Sequence, residues 1–184
     1  MTKQEIRQKM KALRAAVPEE ERAAAEIRAL DTLRKSGLLS DAREVNLYAS
    51  FGDEFPTRRI KEWLLRHDYL VSVPVTEGKD MFAARVDFGT VYARGDFGIE
   101  VPAKAESVDK HSLDLVLLPG LAFDGQGFRV GYGKGYYDRF LAGTRAVRVG
   151  ICYSFQLLSA LPREPHDLAA DFVLTEEGIY RSRE

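Results

Sequence analysis

The chain has a single cysteine, Cys152, so no internal disulfide can form. It lies in an apolar strand-like run, VRVGICY, and reads as a buried, inert thiol of a reducing compartment rather than a nucleophile. Histidine is nearly as scarce, with three in 184 residues. None falls into a His/Cys cluster with zinc-ligand spacing. His67 and His111 read as surface residues. His166 beside Asp167 reads as either an acid–base pair or a structural loop pair. An excess of either charge is also missing: Lys+Arg 27 against Asp+Glu 28 leaves a net charge of -1. That removes any global electrostatic case for nucleic acid, and only a local basic patch stays open. No apolar window approaches the roughly 20 residues of a membrane span. The longest candidate, LDLVLLPGLAF, is broken by Asp114 and Pro119. The first residues, MTKQEIRQKMKALR, lack the apolar core of a secretory signal. A soluble, cytoplasmic protein with no membrane partner is expected. Internal repeats and low-complexity segments are absent too.

What is present fits one domain over residues 1–184, with 45% hydrophobic residues to fill a core. The first 36 residues predict two helices. Ile6, Met10, Leu13 and Val17 recur at helical steps and predict one apolar stripe. Pro18 and the acids Glu19 to Glu21 open the second helix, and Gly37 closes it. Strands and helices then alternate. VNLYAS (45–50) and LVSVPV (70–75) predict strands around a helix over 57–66, with Ile60, Trp63 and Leu64 on one face. Extended pieces at 81–85 and 90–92 suggest a hairpin, and 93–110 reads mostly as loop. LDLVLLP (113–119) is the strongest strand, its continuous apolar run fitting burial on both faces. A helix over 136–141 and strands at 146–152 and 171–175 complete the pattern. Such alternation predicts an α/β fold with a mostly parallel, Rossmann-like sheet flanked by helices. Ligands of such sheets bind beyond the carboxyl ends of the strands.

The segment FRVGYGKGYYDRF, residues 128–140, lies in that region. Gly131, Gly133 and Gly135 alternate with Tyr132 and Lys134. Glycine permits positive φ and close approach of a ligand to the backbone, and successive exposed N–H groups can form an anion nest. Lys134 and Arg129 add full charges, which suit phosphate. Asp138 is a carboxylate placed where Mg²⁺ could share phosphate oxygens. The spacing matches neither Gly-x-x-x-x-Gly-Lys-Ser/Thr nor Gly-x-Gly-x-x-Gly. On the glycines alone, a flexible turn leading into a helix explains the segment equally well. Tyr136 and Tyr137 suggest a flat ligand as well as an anion.

The longer stretch PGLAFDGQGFRVGYGKGYYDRFL, residues 119–141, resembles the signature of the 5-formyltetrahydrofolate cyclo-ligase family. The likeness runs along nearly the whole chain. Lys3 to Arg7 resembles that family's ATP-contacting helix start, and ASFGDEFPT (49–57) its folate-contacting segment. GDFGIEVP (95–102) and PREPHDLAADFVLTE (162–176) resemble two further family segments. The resemblance implies a single-domain fold of the sugar-phosphate isomerase and CoA-transferase kind. It also implies an ATP- and Mg²⁺-dependent ring closure of 5-formyltetrahydrofolate, with or without a polyglutamate tail, by a monomer.

It further implies ATP contacts from Lys3, Gln4, Glu5, Ile6 and Arg7, and from Arg129, Val130, Gly131, Tyr132, Gly133, Lys134, Gly135, Tyr136 and Tyr137. Folate contacts would come from Ala49, Glu54, Tyr132, Gly133, Lys134, Gly135 and Tyr136. Arg129 and Lys134 would stabilise the moving phosphoryl group, and Asp138 and Asp171 would hold Mg²⁺. Two departures stand out. Tyr132 occupies a position where some relatives carry a basic residue, and Pro56 stands where an acidic residue is expected before Thr57. Without the resemblance, Lys3 and Arg7 read as a solvated helix face, Asp171 as a turn residue and Trp63 as core. Two other readings suit the same sheet: a metal-independent sugar-phosphate or CoA enzyme, and a binder that sequesters folate or nucleotide without turnover.

Overall fold

Thr2 starts the first helix. Its hydroxyl accepts from the Glu5 amide, and the Glu5 carboxylate accepts from the Thr2 amide, a capping box. In the computed structural model, which describes residues 1–182, α1 spans Lys3–Ala15 and α2 spans Glu19–Lys35. β1 (Glu44–Leu47), α3 (Arg58–Arg66), β2 (Leu70–Glu77) and β3 (Asp80–Val86) follow. Then come β4 (Tyr92–Arg94), β5 (Glu100–Pro102), β6 (Ser107–Val108) and β7 (Leu115–Leu118). The chain continues through β8 (Ala122–Asp124), β9 (Arg129–Val130), α4 (Tyr136–Leu141) and β10 (Val147–Ile151). It ends on β11 (Leu157–Leu158), β12 (Phe172–Leu174) and β13 (Ile179–Arg181).

Eight strands form the main sheet in the order β13-β12-β10-β7-β1-β2-β3-β6. The five from β12 to β2 are parallel, and β13, β3 and β6 add antiparallel edges. The expected mostly parallel α/β sheet is present. β7 lies at its centre, flanked by β10 and β1, and all four of its residues are buried. That explains the unbroken apolar run. On one face Leu115 and Leu117 pack with Val45, Leu47, Leu33 and Ile60, from the side of α2 and α3. On the other, Val116 and Leu118 pack with Phe140 and Leu141 of α4. Each such leucine contributes roughly 1.5–3 kcal/mol by leaving water. Among the described residues no helix is long and apolar enough to cross a membrane.

Two expectations are corrected. The extended piece at 81–85 does not pair with 90–92. It is β3, and it pairs with β2 over seven positions from Val71↔Val86 to Glu77↔Asp80. The turn between them is Gly78-Lys79, with Gly78 at φ +61, as a two-residue hairpin requires. The later piece, β4, instead pairs with β5 in a small separate sheet, so the supposed loop contains a hairpin of its own. The second correction concerns α1. Leu13 is 41% exposed, whereas Arg14 is 1% exposed and takes the inward place after Ile6 and Met10. From Met10, steps of three and of four both reach the same side of a helix, and the step of four wins.

Candidate active site

The chain leaves β1 and β7 in opposite directions, β1 towards β2 and β7 towards β10, although the two are neighbours. Their carboxyl ends therefore part at a topological switch point, where α/β sheets bind ligands. A cleft of about 1040 Å³ opens there, lined by Tyr48 and Ala49 after β1 and by Pro119 and Gly120 after β7. This is at the upper end of the roughly 300–1,000 Å³ usual for small-molecule sites.

The glycine loop forms one wall. Gly133 (φ +90) and Gly135 (φ +67) hold left-handed conformations that other residues adopt only with strain. The loop is tied down on two sides. Arg7 Nε of α1 donates to the Gly131 carbonyl at 2.9 Å. The Tyr136 hydroxyl donates to the Gly78 carbonyl at 2.9 Å, and Arg139 donates to the carbonyls of Lys134 and Lys79. These ties fix the turn before α4, which starts at Tyr136 as the sequence predicts.

α1 borders the cleft with Lys3, Arg7 and Lys11, one turn apart. Lys3 Nζ lies 2.9 Å from both Glu164 Oε2 and Asp167 Oδ2. Burial works to lower the Lys3 ammonium pKa, but these two carboxylates outweigh it and raise it. His166 is exposed, with Nε2 3.6 Å from Glu164 Oε2. Ligand atoms of Glu164, His166 and Asp167 lie within 4.8 Å of one another. Lys3 already serves as the cation of this group.

Arg129 and Asp138 meet each other, with Nη2 2.9 Å from Oδ1. Lys134 lines the cleft with its Nζ 5.9 Å from the centre of the Phe97 ring. It has no carboxylate partner among the described residues. Across the cleft, Glu54 accepts from the Phe51 amide at 3.0 Å. Burial pushes its carboxyl up, opposed by that amide, by Arg14 and by the Tyr132 hydroxyl. Burial also pushes up the Tyr137 phenol in the cleft wall and the Cys152 thiol away from it.

The structure thus gathers Lys3, Arg7, Ala49, Glu54, Arg129, all of 130–137 and Asp138 around one space. Gln4, Glu5 and Ile6 are not in its wall. Ile6 packs with Met10, Leu121, Ala122 and Val130, and Glu5 caps α1. Asp171 is not in the wall either. It precedes β12, at the amino end of a parallel strand, and its carboxylate accepts from the Arg148 amide at 2.7 Å and from the Arg148 guanidinium. Asp138 and Asp171 are each engaged with an arginine, Arg129 and Arg148. The sequence reading missed Arg14, Asp53, Phe97 and Arg139. For Arg14 the signal was its step of four from Met10.

A glycine-rich loop, a file of cations and a large cleft lie together at the switch point of a mostly parallel sheet, so the chain is an α/β protein with its cleft where such sheets bind ligands. The chain belongs to the 5-formyltetrahydrofolate cyclo-ligase family, whose family model matches residues 1–176. A 5-formyltetrahydrofolate cyclo-ligase of Mycolicibacterium smegmatis is 33% identical over 164 residues, covering 80% of this chain and 81% of that protein. The mouse 5-formyltetrahydrofolate cyclo-ligase is 25% identical over 189 residues, covering 95% and 91%. The solution structure of Aquifex aeolicus 5,10-methenyltetrahydrofolate synthetase superposes with a TM-score of 0.89 at 32% identity, covering 100% of this chain and 94% of that one.

Proposed function

We propose that this protein closes the ring of 5-formyltetrahydrofolate to give 5,10-methenyltetrahydrofolate, consuming ATP and releasing ADP and phosphate. The observation that carries the reading is the single cleft of about 1040 Å³, which is lined both by the folate-type segment at Ala49 and Glu54 and by the glycine loop. Two substrates can lie there against one another.

The chemistry needs that proximity. A formamide carbon is a weak electrophile and its oxygen a weak leaving group. In the proposed sequence the formyl oxygen attacks the γ-phosphorus and ADP departs. N10 then adds to the activated carbon and gives up its proton, and the C–O bond breaks to release phosphate, which takes that proton. Holding the reactants in line supplies much of the rate, and fixed positive charge supplies more. Lys134, without a carboxylate partner, is the group free to follow the moving phosphoryl charge. Arg129 lies deeper, and its charge is shared with Asp138. Glu54 is an acceptor for N–H groups of the pterin ring. The backbone of 131–135 receives phosphate oxygens. Asp138, in the first turn of α4, lies within the cleft wall. It would be the carboxylate to hold Mg²⁺ carried in with the nucleotide, which would there neutralise phosphate charge.

The test is to mix the protein with 5-formyltetrahydrofolate and Mg²⁺, with and without ATP, and follow the near-ultraviolet absorbance of the methenyl product. Growth that requires ATP supports the reading. Folate binding with no growth would leave a sequestering binder, and neither binding nor growth would remove folate altogether.

A further inference from the structure

Arg14 is the most deeply buried charge near the cleft, and nothing in the chemistry above uses it. Its Nη2 carries two hydrogens, and both are committed. One points to Asp53 Oδ1 at 2.6 Å and the other to the Tyr132 hydroxyl oxygen at 2.8 Å. Asp53 belongs to the segment after β1, and Tyr132 sits between two glycines of the loop. A single guanidinium on α1 therefore bridges the two walls of the cleft. Its Nε is buried without a partner, which is unfavourable for folding on its own account. An arginine gives hydrogen bonds and cannot accept them. The Tyr132 oxygen is thus the acceptor in its bond with Arg14, and its own proton must go elsewhere. Glu54 lines the same cleft, and its charge bears on the Tyr132 phenol. The result is a bridge from Asp53 through Arg14 to Tyr132, with Asp53 balancing the charge.

We infer that Arg14 is a positioning residue that couples the folate segment to the nucleotide loop, so that filling one side of the cleft prepares the other. The inference rests on the proposed reaction, because it needs both ligands to share the cleft. A ligand that orders the glycine loop fixes Tyr132. Through Arg14 it then fixes Asp53 and the orientation of Glu54 before the folate arrives. Thermodynamic reciprocity requires the folate to favour the nucleotide by the same factor.

The experiment measures the affinity for 5-formyltetrahydrofolate by calorimetry, with and without the magnesium complex of an ATP analogue bearing a β,γ-imido bridge. In the wild type the nucleotide should tighten folate binding about tenfold, within the usual range of site-to-site coupling. Tyr132→Phe and Asp53→Asn remove only the ends of the bridge, on partly exposed side chains, and leave the buried arginine in place. Each should reduce the coupling to within about twofold of none. Arg14→Lys, which keeps the charge without the fork, should lose it as well. Arg14→Met tests the same point if it folds, and the other three variants decide the matter if it does not. Coupling retained in Tyr132→Phe and Asp53→Asn would overturn the inference and leave Arg14 a structural residue. A wild type that binds both ligands without coupling would overturn it too. A wild type that binds nucleotide but no folate would instead overturn the proposed reaction, and this inference with it.

Discussion

Arg129 and Asp138 form an ion pair at 2.9 Å beneath the glycine loop, with only 7% of the arginine side chain exposed. The two residues the sequence assigns to separate tasks, phosphoryl stabilisation and metal binding, are each other's partner. Removing one leaves the other charged with little water around it, at a cost of about 3 kcal/mol. Asp138→Ala should therefore lower the midpoint of urea unfolding in EDTA with no nucleotide present. An unchanged midpoint would show that Asp138 is not needed to balance Arg129.

Asp171 makes the complementary case. Its carboxylate accepts from the backbone and side chain of Arg148 on the neighbouring strand. Asp171→Asn should cost about 1 kcal/mol of stability as the charge-assisted bonds weaken. The magnesium titration of turnover should not move. A raised magnesium requirement would place Asp171 at the metal after all.

Lys134 should behave in the opposite way to Asp138. It is exposed at the cleft and ion-paired to nothing among the described residues, so Lys134→Ala should change stability by less than about 0.5 kcal/mol. If its charge follows the phosphoryl group, the maximal rate should fall about 10²–10³-fold, with the folate KM changed little. Full turnover in this variant would take Lys134 out of the chemistry.

The sheet was legible because its signals are local. The continuous apolar run of β7 and the start of α4 after Gly135 appear where the pattern places them. The pairing of β3 was misread although its turn is local: the Gly78-Lys79 turn joins it back to β2, whereas the sequence reading paired 81–85 forward with 90–92. The glycine loop was legible as a ligand site, since spacing and charge lie in one segment. Arg14 was not, because its partners are 39 and 118 residues away and a charged residue on an amphipathic helix is ordinarily solvated. Asp171 shows the same limit in reverse: the chain pattern could not reveal that Arg148 occupies it.

Glu54 gives the site a pH dependence. Burial raises its pKa above the ordinary 4.5, so the folded protein favours the protonated form. The sign for stability follows: this group contributes most when the carboxyl is protonated, and that contribution declines as pH rises through the raised value. Folate binding runs the other way, because the ionised carboxylate is the stronger acceptor of pterin N–H groups. Affinity for 5-formyltetrahydrofolate should therefore fall as pH is lowered towards the raised pKa, and Glu54→Gln should flatten that limb. A limb that survives the substitution would belong to another group.

The glycine loop offers the sharpest comparison within one segment. Gly133 has φ +90, and a Cβ there would stand 3.2 Å from Arg7 Nη2, the guanidinium that holds the Gly131 carbonyl. Gly131 is not in the left-handed region, and a Cβ on it would meet only Arg129 Nη1 at 3.7 Å. The same added methyl is therefore strained at one position and tolerated two residues earlier. Gly133→Ala should cost about 1–2 kcal/mol for the left-handed backbone and displace the Arg7 tie. Its nucleotide KM should rise about tenfold for a comparable loss of loop order. Gly131→Ala should keep its stability. If both variants lose nucleotide affinity equally with stability intact, the loop works by close approach of the ligand to bare backbone at both positions. If only Gly133→Ala loses it, the left-handed turn held by Arg7 shapes the phosphate seat.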